Sequence, residues 1–380
     1  MAIHNAAIET YRQLFPVTTE QAYLNHAAFG APSTRVTEAV SQHMASVSTH
    51  GVAAVPAFEE QRRRVRRKMA QFVGAKVGEI AIVKNTPEAI GTAATGLRWR
   101  PGDRVIISDL EFPANVFPWL NLKRLGVETT IVRSVDGRVP IEDILDALDD
   151  RTRVVALSWV EFSNGYRNDL RTIGAACHER GALLVVDVMQ GLGALRLDVR
   201  ELNVDFFGAA SHKWLCGPTG VGWLFCHEAL IDQIDPIMVG QESYQRGPET
   251  SWLDYDLPLW QDARRFESGA TNFLGVAGME AVLDLYAEVG IDRVEGRVKQ
   301  LTDRLAAGLV ERGYRLAAPR DGLQWSGIVS FSSDRRTSAD LVQRLAASGV
   351  SVSLREGVVR VSPHFYNNDE DLDQLFAALT

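Results

Sequence analysis

The chain has 380 residues, with 40 basic against 48 acidic side chains for a net charge of −8, 46% hydrophobic and 23% charged residues, and three cysteines. That length suits two domains, and the acidic balance argues against a nucleic-acid binder, which carries a basic surface. The composition is that of a folded globule rather than a disordered chain. No stretch approaches the roughly 18 uninterrupted apolar residues of a membrane helix, and the first residues lack the basic and apolar parts of a secretory signal. Cys177, Cys216 and Cys226 are too few and too scattered for a disulfide framework or a zinc site. A soluble cytoplasmic globule remains, with no metal and with an enzyme as the leading class.

Along the first two-thirds, strands alternate with helices. The pattern predicts a strand at 79–84 with a helix at 87–97, a strand at 103–108 with a helix at about 115–125, and the same pair at 127–132 with 141–148 and at 154–159 with 170–180. Apolar strands follow at 182–187, at 205–210 and at 221–225. Near-continuous apolar strands between helical patterns point to a mostly parallel sheet covered on both faces. Such sheets carry their sites outside the C-terminal ends of the strands. An irregular stretch at 241–270 precedes a second unit, with helices near 275–288 and 292–312, strands near 328–332 and 358–362, and a last helix at 370–379. It reads as a smaller α+β domain. The basic run Arg62–Lys68 has Phe58, Val65, Met69 and Phe72 at core-like spacing, so it reads as the solvated face of a helix.

Two residues then stand out. Asp187 closes the apolar strand 183–187, where a carboxylate is expensive unless it has a cationic partner or strong donors. Lys213 follows the apolar stretch 205–210 and precedes the glycine-rich Gly217-Pro218-Thr219-Gly220. A lysine desolvated there has a lowered pKa and is prepared for Schiff-base chemistry. Thr86 and Pro87 sit where a strand gives way to a helix, Thr86 as a cap and Pro87 at the first helical position. A helix N-terminus of this kind offers donors to phosphate. Gly191-Leu192-Gly193 half-matches a dinucleotide fingerprint, but Arg196 stands where the third glycine would be, and the partial motif is rejected.

In this order and spacing, Ser211-His212-Lys213-Trp214 with Gly217-Pro218-Thr219-Gly220, and Asp187 with Gln190, resemble the class V aminotransferase family of pyridoxal-phosphate enzymes, which includes cysteine desulfurases and isopenicillin N epimerases. The resemblance runs from Tyr23-Leu24-Asn25-His26 to Arg360-Val361-Ser362, nearly the whole chain. It implies an α/β fold of type I for such enzymes: a mostly parallel seven-stranded sheet in a large cofactor domain (21–260), a smaller α+β C-terminal domain (261–380), and an N-terminal segment (1–20) packing on the latter. It implies pyridoxal 5′-phosphate as cofactor, with Lys213 as the Schiff-base lysine and Asp187 as the partner that keeps the pyridine nitrogen protonated. Gln190 would reach the ring hydroxyl. Thr86, Pro87, His212 and Ser211 would surround the phosphate, although the family's usual Ser-Gly-His-Lys reads Ala210-Ser211-His212-Lys213 here, with the hydroxyl displaced by one residue. Phe112 would cover the ring where desulfurases carry His; it can stack but cannot relay a proton. Arg360 would clamp a substrate carboxylate, with Arg355 a second contact. Thr271 and Asn272 match the loop that reaches a neighbouring subunit's phosphate, which implies a homodimer with shared active sites. The position where many relatives keep an Asn matches Phe162, and Asn164 lies two residues on. No Cys lies in 351–359, where desulfurases carry theirs on a loop. The resemblance therefore implies an enzyme acting on an amino acid or related amine, an aminotransferase first. An epimerase or racemase, or a C–S or C–N lyase, stands as the alternative, and a non-catalytic binding module is a remote one.

Overall fold

The computed structural model describes residues 5–247 and 249–380. Seven strands form the principal sheet: β1 Ile80–Val83, β2 Arg104–Ser108, β3 Glu128–Val132, β4 Thr152–Ser158, β5 Leu183–Asp187, β6 Phe206–Ala210 and β7 Gly222–Cys226. Their spatial order is β1-β7-β6-β5-β4-β2-β3. Only β7 runs against its neighbours, antiparallel to both β1 and β6. All the other pairings are parallel.

Alternation within the strands builds two apolar layers. Ile106, Val155, Leu157, Leu184, Val186 and Phe207 face one core with Trp159 and Trp214. Val105, Ile107, Val154, Ala156, Val185 and Phe206 face the other, under helix α3 (Thr86–Gly96). Helices α1 (Thr34–His50), α2 (Val55–Phe72) and α4 (Leu170–Glu179) pack with this sheet, and α5 (Phe273–Val289), although it falls in the stretch expected to form the C-terminal domain, shares the same core through Val276, Met279 and Val282. The single helix expected over 115–125 is instead a 3-10 turn at Pro113–Asn115, a four-residue helix Phe117–Leu120 and a second 3-10 turn at Asn121–Leu125. Pro113 and Pro118 each remove a backbone donor, which breaks the ladder there.

The basic run on α2 is also not simply solvated. Arg66 is buried and bonds both oxygens of Glu267 at 2.7 and 2.9 Å. Arg64 and Lys68 reach Glu280 of α5 at 2.8 and 3.2 Å. The charges face a neighbouring acidic stripe that one helix's periodicity could not reveal.

The second sheet is antiparallel, with β8 Arg315–Leu316, β9 Val329–Ser332, β10 Ser353–Arg355 and β11 Val358–Val361 in the order β10-β11-β9-β8. Helices α6 (Ile291–Glu311), α7 (Ser338–Ala347) and α8 (Asp369–Leu379) accompany it. Their apolar faces, through Leu305, Leu341 and Leu375, share a core with Val359 and Val361 of β11. Of the segment 1–20, residues 1–4 lie outside the described ones. Further on, Arg12 pairs with Asp371 at 2.7 Å, and Phe15 stacks on Tyr366 with centroids 3.7 Å apart. No helix among the described residues is long and apolar enough to cross a membrane.

Candidate active site

A cavity of about 160 Å³ opens where the strands β1, β2, β4, β5 and β6 end, and Thr86, Phe112, Phe162, Asp187, Gln190 and Lys213 are among its walls. Pro87 and His212 line it as well. Asp187 ends its strand and the others follow theirs by a few positions, as a site at the carboxyl edge of a parallel sheet requires. The turn carrying Lys213 is held from below. Gly30 donates its N–H to the His212 carbonyl at 2.8 Å, and a Cβ on Gly30 would overlap the Lys213 carbonyl. His364 Nδ1 accepts from the Phe365 N–H at 2.8 Å, which leaves Nε2 as the donor to the Trp214 carbonyl at 2.7 Å.

The electrostatics are those of a desolvated pair. Burial lowers the Lys213 ammonium to about 8, Asp187 pulls it back up, and the charges of Arg360 and Arg355 push it down further. Burial raises the Asp187 carboxyl to about 6, against a 2.8 Å bond from the Met189 N–H and the charge of Lys213. Desolvation and Lys213 lower His212, favouring the neutral imidazole.

Several of the wall groups make no hydrogen bond among the described residues: the Thr86 hydroxyl, Asp187 Oδ2, both His212 nitrogens and Lys213 Nζ. The cap of α3 is Asn85 rather than Thr86: its side chain accepts from the Glu88 N–H at 2.9 Å, so Thr86 is the first helical residue and Pro87, with no N–H to spend, the second. The Thr86 end of the cavity therefore offers unused donors beside a helix N-terminus, the Asp187 end offers a free carboxylate oxygen, and the Lys213 ammonium is the cation of the set. Phe112, 41% exposed, presents a ring 5.4 Å from Lys213 Nζ. An anionic phosphate, a pyridine nitrogen that carries a proton, a flat ring and an aldehyde match these groups in turn. The donor set fits pyridoxal phosphate.

Other residues singled out from the sequence are engaged within the protein or stand outside the cavity wall. Gln190 lines the cavity, but its Oε1 accepts from Trp214 Nε1 at 2.9 Å and its Nε2 donates to the Ala27 carbonyl at 3.1 Å. Ser211 is fully buried outside the cavity wall, and its hydroxyl accepts from Trp223 Nε1 at 3.1 Å. The Thr271 hydroxyl accepts from Arg62 at 3.0 Å, and Asn272 caps α5 while donating to the Gly220 carbonyl at 3.1 Å. Arg360 is buried on β11 between Ser330 and Ser353. Arg355 is half-exposed and bonds its neighbour's carbonyl, that of Leu354, at 2.7 Å. Asn164 is spent on structure, donating to the Gly137 carbonyl at 2.6 Å and accepting from the Tyr166 N–H. Phe162 instead lines the cavity, edge-on to Phe112 with centroids 5.2 Å apart.

Two buried carboxyls were missed by sequence reasoning. Glu111 accepts from the Ser158 N–H at 2.6 Å, the Ser158 hydroxyl at 2.7 Å and Asn115 Nδ2 at 2.9 Å. Burial still pushes it up to about 7. Glu161 accepts from Asn168 through one oxygen, at 2.8 Å, and its other oxygen is buried without a partner. Burial, then the charges of Glu111 and Asp187, raise it well above the usual carboxylate range. The available signal was the dipeptide Glu-Phe, which occurs just after two adjacent strands, β2 and β4, as Glu111-Phe112 and Glu161-Phe162.

Known proteins resemble this chain over nearly its whole length. The family model described as "Aminotransferase class-V" matches residues 22–375. A probable cysteine desulfurase of Methanothermobacter thermautotrophicus is 30% identical over 97% of this chain and 96% of its own length. The uncharacterized aminotransferase YcbU of Bacillus subtilis is 29% identical, covering 96% of this chain and 95% of its own. Among solved structures, the apo cysteine desulfurase of Thermococcus onnurineus NA1 superposes with a TM-score of 0.89 at 25% identity, over 100% of this chain and 98% of that one. The cystine C–S lyase C-DES, solved with its product cysteine persulfide, shares the fold with a TM-score of 0.88 at 24% identity, over 96% of this chain and 98% of that one. The chain belongs to the class V aminotransferase family of pyridoxal-phosphate enzymes.

Proposed function

We propose that the protein is an aminotransferase that moves an amino group between an α-amino acid and a 2-oxo acid. The observation that carries this reading is the proton inventory of the cavity wall. Its titratable groups are Asp187, His212 and Lys213; with Asp187 given to the ring nitrogen and His212 to the phosphate, Lys213, brought to about 8, is the base left for the Cα proton. Phe112 and Phe162 supply ring surface and no proton. Transamination needs one base that takes the Cα proton and returns it one bond away. Epimerisation needs delivery of the proton to the other face of Cα, and elimination needs an acid for the leaving group.

The cofactor, when bound, supplies an electron sink for the pair left as the Cα–H bond breaks. In this reading Asp187 Oδ2 holds the proton on the ring nitrogen, and Lys213 Nζ carries the Cα proton. The Thr86 hydroxyl and His212 hold the phosphate, Gln190 stands beside the ring hydroxyl, and Phe112 gives the ring a stacking surface. Arg360 binds the substrate carboxylate, with Arg355 nearby. The relatives named as desulfurases favour a lyase as the second reading. Persulfide transfer through this chain's own thiols is disfavoured, since Cys177, Cys216 and Cys226 are all buried.

We also assign a homodimer with shared sites. Ala270, Thr271 and Asn272 lie outside the cavity wall of their own protomer. Half-exposed Ile237, Met238 and Val239 lie close by in the chain to Gly240, whose Cα packs against the Ser268 backbone. A cytoplasmic location fits three free thiols.

A single-turnover experiment separates the readings. The pyridoxal-phosphate form is mixed with a panel of amino acids, and the products are analysed. Pyridoxamine phosphate with a 2-oxo acid supports the aminotransferase. Exchange of the α-hydrogen with racemisation, or ammonia with a 2-oxo acid and unchanged cofactor, replaces it with an epimerase or a lyase.

A further inference from the structure

A second cavity, about 740 Å³, lies away from Lys213, between the large-domain segments around Ile141, Arg167 and Leu202 and the small-domain residues Glu295 and Leu323. Nothing in the chemistry described above uses it.

Its distinguishing group is Arg167. The guanidinium carbon is 5.0 Å from the centroid of Trp159 and 5.8 Å from that of Trp325, so aromatic rings flank it. Only 14% of the side chain is exposed. Its side-chain nitrogens make no hydrogen bond among the described residues, and its ion pair with Glu295 is a loose one at 3.8 Å. An arginine carries five donors, and Arg167, which lines the cavity, has no hydrogen-bond acceptor for its side chain among the described residues. Burial accordingly lowers its pKa.

Glu295 and Asp169 favour the charge of Arg167, but neither accepts a hydrogen bond from it. Arg196 takes Glu201 at 2.9 Å, and its backbone N–H takes Glu295 at 2.8 Å. Asp169 caps the Leu170–Glu179 helix through Thr172. Arg138, Arg171, Glu142 and Asp321 are exposed at the rim, and Asp198 accepts from backbone N–H groups of its own turn. With two indole rings beside it and no hydrogen bond from its side chain among the described residues, Arg167 has donors left for a ligand, and a guanidinium edge matches the two oxygens of a carboxylate. Ile141, Leu202 and Leu323 add apolar wall beside it.

We propose that this cavity binds a small organic carboxylate, its two oxygens on the in-plane edge of Arg167 and its apolar body against Ile141, Leu202 and Leu323. The site is independent of the aminotransferase reading, and its occupancy does not require turnover.

Calorimetric titration of the cofactor-loaded full chain with benzoate tests it, with inorganic phosphate and benzyl alcohol as comparison probes. Because Arg360 is also a carboxylate-binding candidate, each titration is repeated in Arg360→Ala. The expected result is one benzoate site that survives Arg360→Ala and weakens by roughly tenfold or more in Arg167→Gln. Leu323→Glu places a negative charge at an exposed rim position without disturbing the core, and weakens benzoate in the same direction whether or not Arg167→Gln folds. Benzyl alcohol does not bind, and phosphate binds more weakly than benzoate. Absence of benzoate binding at millimolar concentration overturns the proposal. So do its loss in Arg360→Ala with no change in Leu323→Glu, and phosphate binding tighter than benzoate.

Discussion

Arg360 Nη1 donates to the main-chain oxygen of Phe162 at 2.6 Å, joining the small-domain strand β11 to the segment that follows β4. This bond fixes the guanidinium and leaves other donors uncommitted. Its Nε is buried without a partner, and burial and the charge of Arg355 lower its pKa to about 9. A substrate carboxylate would satisfy what the protein leaves unmet.

Replacement of Arg360 is therefore expected to act on binding. Loss of a charge-assisted hydrogen bond costs about 1.5–3 kcal/mol, which is roughly a 10- to 150-fold rise in KM at about 1.4 kcal/mol per tenfold. Arg360→Ala should show this rise for α-amino acids and little change for amines without a carboxylate. Arg360→Lys keeps the charge without the two-pronged geometry and should fall between. Initial-rate kinetics across the two substrate classes decide it, and an unchanged KM removes Arg360 from the carboxylate.

Cofactor capture should follow two ionisations. The Lys213 amine is the reactive form, and its folded pKa of about 8 lies below its ordinary value. The rate at which cofactor-free protein takes up pyridoxal phosphate, read from its visible absorbance, should rise with pH and level off above about 8. Asp187, raised to about 6 by burial, must be ionised to hold a pyridinium proton. Equilibrium affinity should therefore fall as pH drops through about 6. In Asp187→Asn it should be weak throughout, with that acid limb gone. A limb that persists in Asp187→Asn assigns it to another group.

Much of this site was legible because its residues follow strands at fixed offsets. The apolar run before Asp187 and the small-residue turn before Lys213 encode a buried strand and a tight exit, and both are local. Orientation is not local. Ser211 is one residue from His212, yet its hydroxyl turns to Trp223 in the neighbouring strand β7, a contact set by sheet pairing. Glu111 and Glu161 are 50 residues apart and become neighbours through the pairing of β2 with β4. Arg66 reads as one of a solvated run until Glu267 arrives from 201 residues away.

The cysteines give a negative prediction. Burial raises Cys177 to about 12 and raises Cys216 and Cys226 further above the ordinary thiol value. A thiolate is the reactive species, so the folded protein should react with a thiol reagent only as fast as it opens. Cys177→Ala, Cys216→Ala and Cys226→Ala should each retain activity. Fast labelling of a native thiol with matching loss of activity would return a cysteine to the mechanism.

Glu161 makes the sharpest stability prediction. One of its oxygens has no donor among the described residues, whereas Glu111 has three bonds to support its charge. Of these two carboxyls, then, Glu161 keeps its proton. A carboxyl whose folded pKa lies above its unfolded value adds nothing unfavourable below the unfolded value of about 4.3. As pH rises beyond that, the unfolded chain releases the proton while the folded chain holds it, and stability falls until the folded pKa is passed. Glu161→Gln keeps the acceptor for Asn168 and removes the ionisation. The variant should match the wild type in melting temperature near pH 4 and exceed it increasingly toward neutral and alkaline pH. Thermal denaturation across that range checks the sign, and a variant that melts below the wild type at pH 8 would mean that Glu161 is ionised in the folded state.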